Sequence, residues 1–216
     1  LTVQNVMAIT FPTFSRLQKH KNLLKKAIEK SIYFISLLIF PLLIGMSLFI
    51  KPLTVVVPKY SKWQPAIATF IMFTLSIGWA SISTPLTNTL NAIGKINRTL
   101  KLMVIWTSLT WILTPILIWL IGFNGVALSS LLISFTSFLA IKYVKKEVPI
   151  DVWSNIKTQV FAGLGMAVFG YVTLNVWSQS IIWFLAGGVV VGLSYLLIVW
   201  ILGRKKLLAE IKSIKP

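Results

Sequence analysis

Between residues 67 and 101 an apolar run long enough to cross a bilayer turns polar before it ends. Its first part, IATFIMFTLSIGWASIS, suits hydrocarbon. The remainder, TPLTNTLNAIGKINRTLK, brings Pro85, Asn88, Asn91 and Gly94 within a few turns of Lys95, Arg98 and Lys101. Amides carried into a bilayer cost free energy unless they are paired or face water. Such a helix is expected either to line a polar path or to pack on another helix, and a piece of a transporter is the reading it invites.

The rest of the chain agrees with a membrane setting. It is 56% hydrophobic and only 12% charged, where soluble domains carry roughly a quarter charged residues. The expected fold class is all-α, a polytopic transmembrane helical bundle with six complete spans over residues 32–50, 66–91, 102–121, 125–141, 158–176 and 181–202. Pro41 and Pro115 are expected to kink their helices. The IGFNG turn after Ile118 has glycines suited to a tight hairpin. Ser129, Ser130, Ser134 and Ser137 give the fourth span a face for close helix contact. KPLTVVVPKYSKWQP, with three prolines, reads as a connection without helical period.

The expected organisation is four-part. Residues 1–14 read as the end of a truncated transmembrane helix, because so short a run cannot cross about 30 Å of hydrocarbon and Leu1 has no basic region of a signal peptide beside it. Residues 15–31, with Arg16, Lys19, Lys21, Lys25, Lys26 and Lys30 between leucines, read as an amphipathic cytoplasmic segment. Residues 32–202 form the six-span membrane domain, and 203–216 a basic cytoplasmic tail. The chain is therefore expected to be the C-terminal part of a longer protein.

Charge placement tests this division. If the six spans alternate, every cation except Lys51, Lys59 and Lys62 falls on one side. Positively charged loops stay in the cytoplasm, so that side and the C-terminus are expected inside a plasma (inner) membrane. A formal net charge of +17 would point to nucleic acid in a soluble protein. Once the spans are removed no compact basic domain remains, and anionic membrane lipids are the expected partner. Trp63, Trp119, Trp177 and Trp183 fall at the expected outer boundary, Trp153 and Trp200 near the inner one, and Trp79, Trp106 and Trp111 inside spans as packing residues.

FPTFSRL, a basic amphipathic stretch, a proline-bearing span, a span ending NTLNAIGKINRTLK and the run WILTPILIWLIGFNGVALSSLLIS follow one another in this order. The order resembles the C-terminal part of the Wzx-type polysaccharide flippases, a branch of the multidrug/oligosaccharidyl-lipid/polysaccharide exporter superfamily related to the lipid II flippase MurJ and the MATE drug exporters. The segments that carry it most are N-x-x-G-K at Asn91–Lys95 and P-x-L-I-x-x-x-G-x-x-G-x-A-L-S-S at Pro115–Ser130, and it extends over most of the chain. The resemblance implies two lobes of helices around a cavity, of which this chain would be the second. It also implies alternating-access transfer of an undecaprenyl-pyrophosphate-linked oligosaccharide from the inner to the outer leaflet. The missing first lobe would be its partner.

No enzyme is expected. The four acids, Glu29, Glu147, Asp151 and Glu210, all lie outside the spans, so no carboxylate pair is placed to act as buried acid and base. His20 stands alone among lysines, and with no Cys a converging donor set for a metal is not expected. The glycines of AGLGMAVFG and AGG sit in spans as packing residues rather than in a phosphate-binding loop, so no cofactor is expected. The candidate substrate-binding residues are Thr84, Asn88 and Asn91, at i, i+4 and i+7 on one helix face, followed by Lys95, Arg98 and Lys101. One reading has the amides on sugar hydroxyls and the cations on pyrophosphate. The other makes the amides interhelical contacts and the cations markers of topology. Three further functions stay open: a MATE-like small-molecule exporter, for which an acidic cavity would speak; a membrane enzyme of polysaccharide assembly, for which a long outer loop with Arg, His or carboxylates would speak; and an inactive fragment.

Overall fold

The computed structural model describes residues 11–212. Among these, every regular element is helical: α1 (Lys21–Val56), a 3₁₀ helix (Pro58–Ala66), α2 (Ile67–Ala92), α3 (Ile96–Ile121), α4 (Asn124–Phe135), α5 (Phe138–Lys145), α6 (Val152–Val172), α7 (Leu174–Trp177) and α8 (Ile181–Lys212). Five stretches are long and apolar enough to cross a membrane: Lys21–Val56, Pro58–Ala92, Ile96–Ile121, Asn124–Lys145 and Ile181–Glu210. The protein is thus the all-α polytopic bundle its apolar runs predict. The end of a helix expected over 1–14 lies mostly outside the described residues, and so does the end of the tail.

The remaining expected span, 158–176, is built differently. Its helix α6 begins at Val152, so Asn155, Lys157 and Gln159 occupy its first turns and make it too polar to count among the five. It also ends early. The Thr173 hydroxyl donates to the Phe169 carbonyl at 2.7 Å and accepts from the Trp177 indole at 2.7 Å, which closes α6 and sets Leu174–Trp177 apart as a single turn. Trp177, expected in an interfacial belt, is buried instead, against Gly187. Trp111, expected to pack, is 77% exposed.

The basic stretch is not a separate helix from Lys21 on. KNLLKKAIEKS is made of good helix formers, Ser31 donates back to the Ala27 carbonyl, and the helix runs on for 36 residues, about 54 Å. Leu24, Ile28, Ile32 and Ile35 along it are buried in the protein, whereas Leu23 is exposed. At the other end α1 continues through Lys51 and Pro52 to Val56, where a connection was expected.

The chain divides into two compact units, with boundaries inside α1, at the start of α2 and inside α6. One unit holds the chain up to Ser36 together with Thr69–Asn155. Within it, helices meet through hydroxyls and small residues. Thr69 bonds Asn124, Ser76 bonds Ser130 at 2.9 Å, Thr114 bonds Ser129 at 2.8 Å, and the Trp106 indole donates to Thr136 at 2.9 Å. At the expected IGFNG hairpin, Gly122 has φ 64°, and a Cβ on Gly125 would run into the Leu117 backbone. Only glycine lets α4 begin so close to α3. The other unit holds Leu37–Ala68 and the chain from Ile156 on. Its core is apolar: Ala162, Met166, Trp177, Val191, Tyr195 and Val199 are buried, with Leu37, Phe40, Ile44 and Leu48 packed against them.

Candidate functional site

Helix α2 buries one flank and leaves the other partly open. Ser81, Ile82, Pro85, Leu86, Thr89 and Leu90 are buried, whereas Ala80 is exposed and Thr84, Thr87, Asn88 and Asn91 are half-buried. The open flank is therefore a polar seam running down to the foot of the helix. Thr84 and Thr87 spend their protons on the carbonyls of Ala80 and Thr84, which leaves their lone pairs available as acceptors. Asn88 and Asn91 make no side-chain hydrogen bond to any other described residue. Each offers two donors and a carbonyl acceptor to whatever occupies the seam. Thr87 belongs to this seam and was not singled out from the sequence, although its i+3 spacing from Thr84 would have admitted it.

The foot of α2 explains the N-x-x-G-K segment. Gly94 has φ 75°, the Lys95 N–H reaches the Leu90 carbonyl at 2.8 Å, and the Gly94 N–H reaches the Asn91 carbonyl at 3.1 Å. That pair of bonds is a Schellman motif, which needs glycine at the left-handed position and satisfies carbonyls that would otherwise be orphaned at the helix end. The motif thus turns the chain sharply into α3, which begins at Ile96, and presents Lys95 in the turn. Lys95 and Lys101 are exposed.

Arg98 has a different role from its neighbours. Its Nη2 lies 2.7 Å from Glu147 Oε1, its Nη1 donates to the Tyr143 carbonyl at 3.1 Å, and its guanidinium stands 6.0 Å from the Tyr143 ring centroid. The guanidinium is committed to tying the start of α3 to the end of α5 rather than presented to a ligand. A second tie completes the arrangement. Glu29 on α1 accepts the Asp151 N–H at 2.8 Å, and Asp151 accepts the Ser154 N–H at 3.2 Å as the cap of α6. Val148 and Ile150 are buried between the two ties.

These contacts bring three basic segments to one end of the unit: the start of α1 with Lys25 and Lys26, the α2–α3 turn with Lys95, and the end of α5 with Lys142, Lys145 and Lys146. All three were assigned to one side of the membrane from charge alone. The capping role of Asp151 was legible as an Asp-x-x-Ser helix start. The pairing of Arg98 with a glutamate 49 positions away had no local signal.

The geometry defines an integral membrane protein with a polar seam leading to a cationic end. A family described as polysaccharide biosynthesis protein matches residues 1–68 of this chain, so its first part, up to the start of α2, is similar to proteins of that process. No curated protein and no solved structure matches the chain.

Proposed function

We propose that this chain is the C-terminal lobe of a Wzx-type polysaccharide flippase, a relative of MurJ and the MATE exporters. It would help move an undecaprenyl-pyrophosphate-linked oligosaccharide from the inner to the outer leaflet by alternating access. The observation that carries the reading is the pair of half-buried amides, Asn88 and Asn91, unpartnered among the described residues, on the open flank of a membrane-length helix. In hydrocarbon such groups are costly, and a hydrated sugar in the seam removes the cost by supplying both donors and acceptors. Lys95 and Lys101 draw the pyrophosphate to the foot of the seam, while Arg98 holds the end of the unit in shape. The similarity of residues 1–68 to polysaccharide biosynthesis proteins supports the substrate class.

No catalytic step and no cofactor belongs to this reading. In this reading the cationic end faces the cytoplasm of a plasma membrane, the side on which positive loops are retained and anionic lipids attract them. A cytoplasmic C-terminus requires α6 to cross as well, and its 21 residues reach about 31 Å, enough for the hydrocarbon core. The test is transfer of a fluorescent polyprenyl-pyrophosphate oligosaccharide across proteoliposomes holding the protein with its first lobe. Replacing Asn88 and Asn91 together by Ala is expected to cut the rate at least about tenfold, as loss of two substrate hydrogen bonds near 1 kcal/mol each implies, with unchanged thermal stability. Full transport by that variant overturns the reading.

A further inference from the structure

The chain between the first two spans is not irregular. Pro58–Ala66 forms a 3₁₀ helix of nine residues, entered from Val57 in extended conformation and leading directly into α2. Runs of this kind longer than three or four residues are uncommon. This one begins and nearly ends with prolines that lack donors, and none of its residues is buried. None of the described residues covers it.

A repeat of three residues per turn sorts its side chains into three edges. Tyr60 and Trp63 share one edge, Lys59 and Lys62 a second, Ser61 and Gln64 a third. At about 2 Å of rise per residue, the two rings stand about 6 Å apart along the axis. Tyr60 is 43% and Trp63 57% exposed, and the Lys62 ammonium lies 5.9 Å from the Trp63 ring centroid. Ser61 donates back to the Pro58 carbonyl at 2.8 Å, so its edge is tied down within the segment.

The flanking elements fix where such a segment lies. Both α1 and the stretch Pro58–Ala92 are long and apolar enough to cross a membrane, so the chain leaves the hydrocarbon after Val56 and re-enters it at Ile67. Aromatic rings with a polar tip favour the headgroup level, and lysine stems lie along apolar surface with the ammonium at the phosphates. We infer that Pro58–Ala66 is an interfacial anchor lying in the plane of the headgroup layer, with Tyr60 and Trp63 turned to the acyl boundary and Lys59 and Lys62 on anionic lipid phosphates. It fixes the depth at which α1 and α2 are joined. The inference rests on those two helices crossing the bilayer and not on the transport reading.

The protein has no cysteine, so single cysteines introduced at positions 59 to 64 can each carry a nitroxide without background. Each such substitution leaves at least one ring of the aromatic edge in place and touches no buried residue. In vesicles containing phosphatidylglycerol, the ratio of oxygen to nickel-chelate accessibility is expected to be several-fold higher for Tyr60→Cys and Trp63→Cys than for Lys59→Cys, Ser61→Cys, Lys62→Cys and Gln64→Cys. A second measurement isolates the charge. With Trp63→Cys labelled, Lys59→Gln with Lys62→Gln should abolish the difference in depth between phosphatidylglycerol vesicles and vesicles of phosphatidylcholine alone. Equal water access at all six positions overturns the inference. So does shielding of 60 and 63 that arises only when oligosaccharide is added, which would make the aromatic edge a glycan contact.

Discussion

Within each of the two compact units the helices meet in a different way. In the unit built around α2, α3 and α4, helices are joined by hydroxyl pairs, an amide, an indole and the Arg98–Glu147 ion pair. In the unit around Tyr195, helices meet through apolar side chains, and the glycines at 163, 165, 170 and 203 make room for Ile44, Ile198, Leu48 and Thr158. Lipid tails are as apolar as leucine, so the second unit gains little from hiding apolar surface and depends on how well its parts fit. The first has a buried apolar core of its own, with Leu24, Ile28, Ile32, Leu86, Leu90 and Leu102, and adds directional bonds to it. A unit whose helices already exchange polar contacts can carry a polar seam at small extra cost, which is why the candidate site belongs to it.

The largest expected effect breaks the first unit at its tightest point. Gly125→Leu places a side chain against the Leu117 backbone, which cannot move aside as a flexible side chain can. A loss above about 4 kcal/mol is expected, seen as no folded peak on detergent size-exclusion chromatography. Gly163→Ala, whose added carbon meets only the end of Ile44, should cost about 1 kcal/mol. Equal tolerance at 125 and 163 would remove the contrast between rigid and yielding contacts. Next, Met166→Ala in the apolar cluster should cost about 2 to 4 kcal/mol in thermal denaturation, the range for an unfilled core position. A cost near zero would mean that shape does not hold that unit.

The ion pair sharpens the comparison further. Arg98 and Glu147 are 29% and 24% exposed, so Arg98→Ala should cost about 1 to 2 kcal/mol, between the surface and buried ranges. The exchange Arg98→Glu with Glu147→Arg should restore part of it. Smallest is the serine pair. A double-mutant cycle on Ser76→Ala and Ser130→Ala is expected to give a coupling of about 0.6 kcal/mol, the average for hydrogen bonds between membrane helices. Strict additivity would show that the hydroxyls contribute only by being small.

Much of this was legible in the chain itself, for identifiable reasons. Apolar length is a property of composition, so five of the expected crossings recur as stretches long and apolar enough to cross a membrane. The glycines at 94 and 122 mark positive-φ positions that other residues resist, so both turns fall where the motifs put them. Other features were hidden because polarity and helicity are separate properties. The break expected before Ser31 followed polarity, yet the residues there are good helix formers and α1 runs through. The connection at 58–66 has a period of three, which prolines disguise as irregularity. The seam residues Thr84, Asn88 and Asn91 were found by spacing, but which of them had partners was not.

By itself, then, the sequence determined that the chain is helical, that it lives in a membrane, where its hairpins turn and which segments share a charge. Each of these follows from local stereochemistry or from the transfer of single side chains between water and lipid. Only the tertiary structure decided that Arg98 is bound to Glu147 while Asn88 and Asn91 have no partner among the described residues, that Trp177 is buried and Trp111 is not, and that α1 is shared between two units. Those outcomes depend on which distant groups come within a few ångströms of one another, and no local property of the chain encodes that distance.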